Sequence, residues 1–246
     1  MKKILATAAA ILCLAGCASV ETRPEADPEV QLTRARGEFT DKDYDEAAAT
    51  LRELLASRPP ARIRVEADFL AGETAMAREE FAEARVFFSE FSGLYPGNPR
   101  VPEAEFQIAE SWYQERNRKD RDVTPLREAR ARFVAFLAAH PEHPLSSMAR
   151  ERVASCTAAL ISYERGVADL YFGRGAFAGA AGRLEAIVTS YPGAPDEART
   201  LFDLVTALGR AGDRAKAALY RERLLKAYPD TPWAGLAAAE APGATP

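Results

Sequence analysis

The sequence predicts an all-α chain, a right-handed α-solenoid of about five stacked helix pairs. Three observations predict it. A proline turn recurs as Tyr95-Pro96-Gly97-Asn98-Pro99, His140-Pro141-Glu142-His143-Pro144, Tyr191-Pro192-Gly193-Ala194-Pro195 and Tyr228-Pro229-Asp230-Thr231-Pro232, with Arg58-Pro59-Pro60 as a degraded copy. The first prolines stand 37, 45, 51 and 37 residues apart, the period of helical-repeat proteins. Fixed offsets before each proline also agree. Twelve residues before it is always alanine (Ala47, Ala84, Ala129, Ala180, Ala217), and five before it is always bulky and apolar (Leu54, Phe91, Phe136, Ile187, Leu224). Finally, the alternating β-branched runs that mark strands are missing.

Each copy reads as a tetratricopeptide-like helix pair. The second helix opens near the residue fifteen before the proline, which is Tyr44, Phe81, Leu126 or Phe177, with Arg214 the exception. Proline ends that helix because it has no N–H and disfavours helix in the residue before it. In Phe81, Ala84, Phe88, Phe91 and Tyr95 the apolar steps are 3, 4, 3 and 4, one stripe of an amphipathic helix. A single pair cannot cover such a stripe, so the pairs must stack.

In chain order, residues 1–17 read as a targeting segment. Lys2 and Lys3 precede an apolar run from Ile4 to Leu14, too short to span a bilayer. The run ends in Leu14-Ala15-Gly16-Cys17, the pattern of a bacterial lipobox, with Cys17 as the thiol that takes the lipid. The alternative is an ordinary secretory signal with an incidental cysteine. Two or more acyl chains anchor stably. Ala18 follows the cysteine where an aspartate would, by resemblance to enterobacterial sorting rules, favour inner-membrane retention, so the outer membrane is the expected destination. Residues 18–27 are polar with a proline and read as a flexible tether. Repeats 1–3 occupy 28–141, with an insertion at Gln114–Asp122 in the third. Repeats 4 and 5 occupy 142–234, the first helix of the fourth extending to near Gly173. Arg214 and Arg221 stand where sister copies are apolar, as on the outer face of a terminal repeat. The stretch 235–246 is rich in Ala, Gly and Pro and reads as a disordered tail.

Composition excludes several functions. Loss of Lys2 and Lys3 leaves 30 basic against 36 acidic residues, a net charge of −6, which argues against nucleic acid. Cys13 leaves with the signal and Cys17 is lipidated, so Cys156 is a lone thiol without a disulfide partner. Placed mid-helix with no base nearby, it reads as a small buried apolar residue. His140 and His143 are the only histidines, and His140 fills the slot that is tyrosine in three sister turns. No metal-ligand spacing accompanies them. Gly173-Arg174-Gly175-Ala176-Phe177 is not a phosphate loop, since no strand precedes it and the repeat needs its interhelical turn there. No nucleophile–base pairing is visible, so the reading is a non-enzyme without cofactor.

The second half also carries a family likeness. Asp120-Arg121-Asp122, Tyr163-Glu164, Val167-Ala168, Tyr171, Arg174-Gly175-Ala176-Phe177, Arg183 and Tyr191-Pro192 together resemble the BamD family, tetratricopeptide lipoproteins of the outer-membrane β-barrel assembly machinery. Leu170-Tyr171 departs from the tyrosine pair usual there, and the segment from Ala109 to Trp112 matches poorly. The resemblance implies a lipid-anchored scaffold at the periplasmic face of the outer membrane. Its partners would be the barrel assembly protein BamA, accessory lipoproteins and segments of unfolded outer-membrane proteins. Arg183 would be the polar contact to the barrel protein, offering a planar fork of donors, with Tyr163, Glu164 and Arg174 ordering the elbow around it. The alternatives are a solvated helix face for Arg183 and core positions for Tyr163 and Phe177. Asp120, Arg121 and Asp122 form either an exposed loop or an ion-pair cluster fixing the insertion. A different envelope lipoprotein with the same repeats, associated with division, peptidoglycan or polysaccharide export, is the competing function.

Overall fold

The structure, a computed structural model, describes residues 27–116 and 122–239. Cys17 and the tether before Asp27, Asp120, Arg121 and the last seven residues lie outside the described residues. Within them the chain is eleven α-helices and no strand. The pairs are α1 (Pro28–Thr40) with α2 (Tyr44–Ala56), α3 (Ala61–Ala77) with α4 (Phe81–Leu94), and α5 (Val101–Glu115) with α6 (Thr124–Ala139). Then come α7 (Ser146–Gly173) with α8 (Phe177–Ser190), α9 (Glu197–Ala211) with α10 (Arg214–Ala227), and a lone α11 (Pro232–Ala239).

Local chemistry sets these boundaries. Asp27 accepts the N–H of Glu29 at 2.9 Å and Pro28 opens α1, the cap and the proline position a helix start favours. Four second helices are capped by Tyr95, His140, Tyr191 and Tyr228, the residues before the turn prolines. The left-handed turn between the helices of a pair falls to glycine at Gly175 (φ 72°) and Gly212 (φ 85°), but to Lys42 (φ 66°) and Glu79 (φ 58°) in the first two pairs. A side chain in that region costs about 1–2 kcal/mol, more than the entropy a glycine loses. Lys42→Gly is therefore expected to raise the melting temperature by about 1–3 °C in a calorimetric scan; a lowered one would show that Lys42 makes a compensating contact.

The offsets read from the sequence are the packing code. Ala47, Ala84, Ala129 and Ala180 are each 0% exposed, while Ala217, in the last full pair, is half-buried. All five bulky residues near the turns are buried. Beyond the contacts between successive helices, α1 touches α3 and α5 touches α7, and the lone α11 packs on both α9 and α10.

The turn tyrosines have a further use. Tyr95 donates to Asp68 Oδ2 at 2.7 Å and Tyr228 to Glu197 Oε2 at 2.7 Å, while His140 Nε2 lies 2.8 Å from Glu105 Oε2. Each bond ties the end of a second helix to the first helix of its own pair, which explains why histidine substitutes for tyrosine there.

Three expectations need correction. The segment after Trp233 does not fray at once: α11 continues to Ala239, with Ala234 and Ala237 buried and Trp233 on Phe202 at 5.6 Å between ring centroids. Arg221 consequently does not face an empty side. It donates to the carbonyls of Ala237 (2.6 Å) and Ala238 (3.2 Å), where an α-helix has carbonyls without partners and a cation is favoured. Gln114 and Glu115 belong to α5, so the insertion begins later, and α6 starts at Thr124, two residues ahead of Leu126.

A candidate partner-binding site around Glu164

Midway along the stack a carboxylate is taken out of water. Glu164, on the 28-residue α7, is 7% exposed. Burying a charge is costly unless it is paired, and Glu164 has two partners from two other helices. Arg127 of α6 donates from Nη2 to Oε1 at 3.1 Å, and Arg183 of α8 donates from Nη1 to Oε2 at 3.1 Å. One carboxylate therefore ties α6, α7 and α8 together. The arginine side chains remain 57% and 44% exposed. A guanidinium carries five N–H donors, so both present donors to solvent while held at one end. The bond to Glu164, with a further contact to Tyr171, holds Arg183 above its ordinary pKa. The site is a pair of fixed cations, suited to a carboxylate or to backbone carbonyls of a partner.

Of the residues singled out in the sequence, the structure brings together Glu164 and Arg183. Tyr163 is half-buried on α7, about 100° round the helix from Glu164. Arg174 is exposed at the end of α7, and its backbone N–H bonds the carbonyl of Tyr171 at 3.2 Å; no side-chain bond from it to Glu164 or Arg183 occurs among the described residues. Gly175 forms the turn before α8, and Phe177 packs edge-on to Phe172 with centroids 5.8 Å apart. Asp122 is exposed, and its Oδ1 accepts the N–H of Thr124, the first residue of α6, at 2.9 Å. Arg127 is the functional candidate that the sequence did not reveal, since its partner lies 37 residues away on another helix.

Cys156 is fully buried and burial pushes its thiol up to about 11, the opposite of a nucleophile. Tyr95 is raised to about 12 by burial and by Asp68, and Tyr220 and Tyr228 are raised too, the first mainly by burial and the second by its bond to Glu197. All four favour the protonated form in the fold. Their contribution is complete below the unfolded values of about 8.5–10 and is lost as pH rises through the folded values. The urea midpoint is thus expected to fall steadily from pH 9 to pH 11; a flat profile would contradict these burials. Among the described residues no cluster of His, Cys, Asp and Glu is arranged to hold a metal, and no helix is long and apolar enough to cross a membrane.

Comparison with known proteins decides the family. The family model described as YfiO, outer membrane lipoprotein, matches residues 24–224. The chain belongs to the YfiO family. Its relatives include outer membrane protein assembly factor BamD of Neisseria meningitidis serogroup A, 28% identical over 256 aligned positions that cover 95% of this chain and 94% of that protein. The factor of the same name from Neisseria gonorrhoeae is 28% identical over the same shares. Among solved structures the chain is similar to the P58(IPK) TPR domain (TM-score 0.45, 15% identity, 84% of this chain and 53% of that one). It is also similar to MamA (TM-score 0.41, 16% identity, 89% and 98%). The YfiO match covers both halves of the stack, including all three residues of the Glu164 cluster.

Proposed function

We propose that this YfiO-family chain is a scaffold lipoprotein of the machinery that assembles β-barrel proteins in the outer membrane. It is anchored through lipid on Cys17 at the periplasmic face. It holds the barrel assembly protein BamA and accessory lipoproteins, and it receives segments of unfolded outer-membrane proteins. The observation that carries this reading is the end-to-end correspondence with relatives named for that assembly. The Glu164 cluster supports it with a mechanism. Arg127 and Arg183 are tethered by a shared buried carboxylate, so their exposed donors lose little freedom when a partner binds. The work is binding alone, with no bond made or broken.

Pull-down from envelope extract is expected to recover the barrel protein, and Arg183→Leu to lower recovery about tenfold or more, as for one lost charge-assisted bond. Arg127 still pairs Glu164 in that variant, so its melting should stay close to the parent's. Undiminished recovery, or recovery of division or polysaccharide-export proteins instead, would overturn the assignment.

A further inference from the structure

In the first repeat the described side chains leave a space unfilled. Eleven residues before the turn prolines of repeats 1–4, the second helix faces the next pair. Repeat 2 has Arg85 there, lying 3.8 Å from the Trp112 ring centroid and pairing with Glu115 at 2.9 Å. Repeat 3 has Arg130, which donates to Thr157 Oγ1 at 2.9 Å and lies 5.0 Å from the Tyr191 ring centroid. Repeat 4 has Ala181, 3% exposed under close packing. Repeat 1 has Ala48, only half-buried, and here the space stays open. A cavity of about 140 Å³ lies between α2 and α4 over α3, its apolar walls including Leu51, Leu55, Ala71 and Phe87. An apolar cavity of about 150 Å³ holds a benzene ring, so this one suits a single leucine or phenyl side chain.

Arg78 borders this cavity and also a wider polar cleft beside it, about 580 Å³, where Asp43, Glu46 and Glu80 stand. Arg78 is already committed, to Asp45 Oδ1 at 2.8 Å and Glu80 Oε2 at 2.6 Å. Across both spaces five carboxylates, with Glu83 the fifth, face the three cations Lys42, Arg52 and Arg78. Glu83 is hydrogen-bonded to Glu80, which raises its pKa; two carboxylates crowded this way gain from a nearby cation. The cavity is walled by residues of α2, α3 and α4 and shares none with the Glu164 cluster.

We infer that this cleft docks a partner segment carrying one bulky apolar side chain flanked by lysine or arginine. The apolar residue enters the cavity beside Ala48, and the flanking cations meet Asp43, Glu46 and the Glu80–Glu83 pair. Removing an apolar side chain of this size from water is worth about tenfold or more in affinity, and the acidic rim selects against acidic sequences.

The test is fluorescence anisotropy with the full chain in detergent and a labelled peptide Gly-Lys-Arg-Leu-Arg-Lys-Gly. Saturable binding is expected, at least tenfold weaker when serine replaces leucine and lost when glutamates replace the basic residues. Ala48→Arg, which gives repeat 1 the plug of repeats 2 and 3, should abolish binding with the circular-dichroism melt intact. If that variant misfolds, Asp43→Asn with Glu46→Gln decides: both residues are exposed, and the pair should weaken binding and flatten its salt dependence. No binding, equal binding of the leucine and serine peptides, or indifference to both variants would each overturn the inference.

Discussion

Phe88→Ala is expected to destabilise the fold by about 3–5 kcal/mol. The ring is 0% exposed, sits edge-on to Phe69 with centroids 5.3 Å apart, and lies against the one spot in α3 where no side chain stands. A Cβ placed on Gly72 would meet the Phe88 ring at 2.7 Å. Gly72→Ala should therefore destabilise by about 1–3 kcal/mol through overpacking, although alanine favours helix by about 1 kcal/mol. Combined with Phe88→Leu, the cost of Gly72→Ala should shrink, because the two sites share one contact. Urea unfolding monitored by circular dichroism measures all three. A loss below about 1 kcal/mol for Phe88→Ala would mean that α3 and α4 do not nest closely.

The second large effect is expected at Glu197. This carboxylate is 4% exposed and accepts bonds from the Gly193 N–H, the Arg223 guanidinium and the Tyr228 hydroxyl. It thereby fastens the fourth proline turn to the end of the fifth. Breaking such a buried pair by removing one member costs about 3–5 kcal/mol, so Glu197→Ala should lower the melting temperature by roughly 6 °C or more. Glu197→Gln should cost less, because it keeps an acceptor for Gly193 and Tyr228 while losing the charge. Equal melting temperatures for Glu197→Ala and the parent would remove this residue from the account of repeat 5.

What the sequence made legible were features fixed by short-range chemistry. A proline stops a helix wherever it falls, and an alanine between crossing helices must be small, so the turns and Ala47, Ala84, Ala129 and Ala180 were visible as spacing alone. Contacts between distant residues left no such trace. Arg127 meets Glu164 across 37 residues, and nothing in the repeat demands an arginine at that offset, where the sister copies carry Asp45, Ala82, Ala178 and Ala215. Arg221 looked like a charge on an open end because its partners are backbone carbonyls, which have no identity in a sequence. The helix that supplies them, α11, was hidden by alanines and glycines that also suit a tail; Pro232, a favoured first helical residue, was the overlooked signal. The open place beside Ala48 is legible only once the copies are laid over one another with Arg85 and Arg130.

At 28 residues and about 1.5 Å of rise each, α7 runs about 42 Å without interruption. Its early residues Ala149, Cys156 and Leu160 share a core with Phe106 and Phe133, and its later residues Ile161 and Ala168 share another with Leu184 and Leu204. It is a keel common to the third pair and the last two. A load applied at α9 or α10 therefore reaches α5 along one continuous helix instead of being taken up at a joint between two pairs.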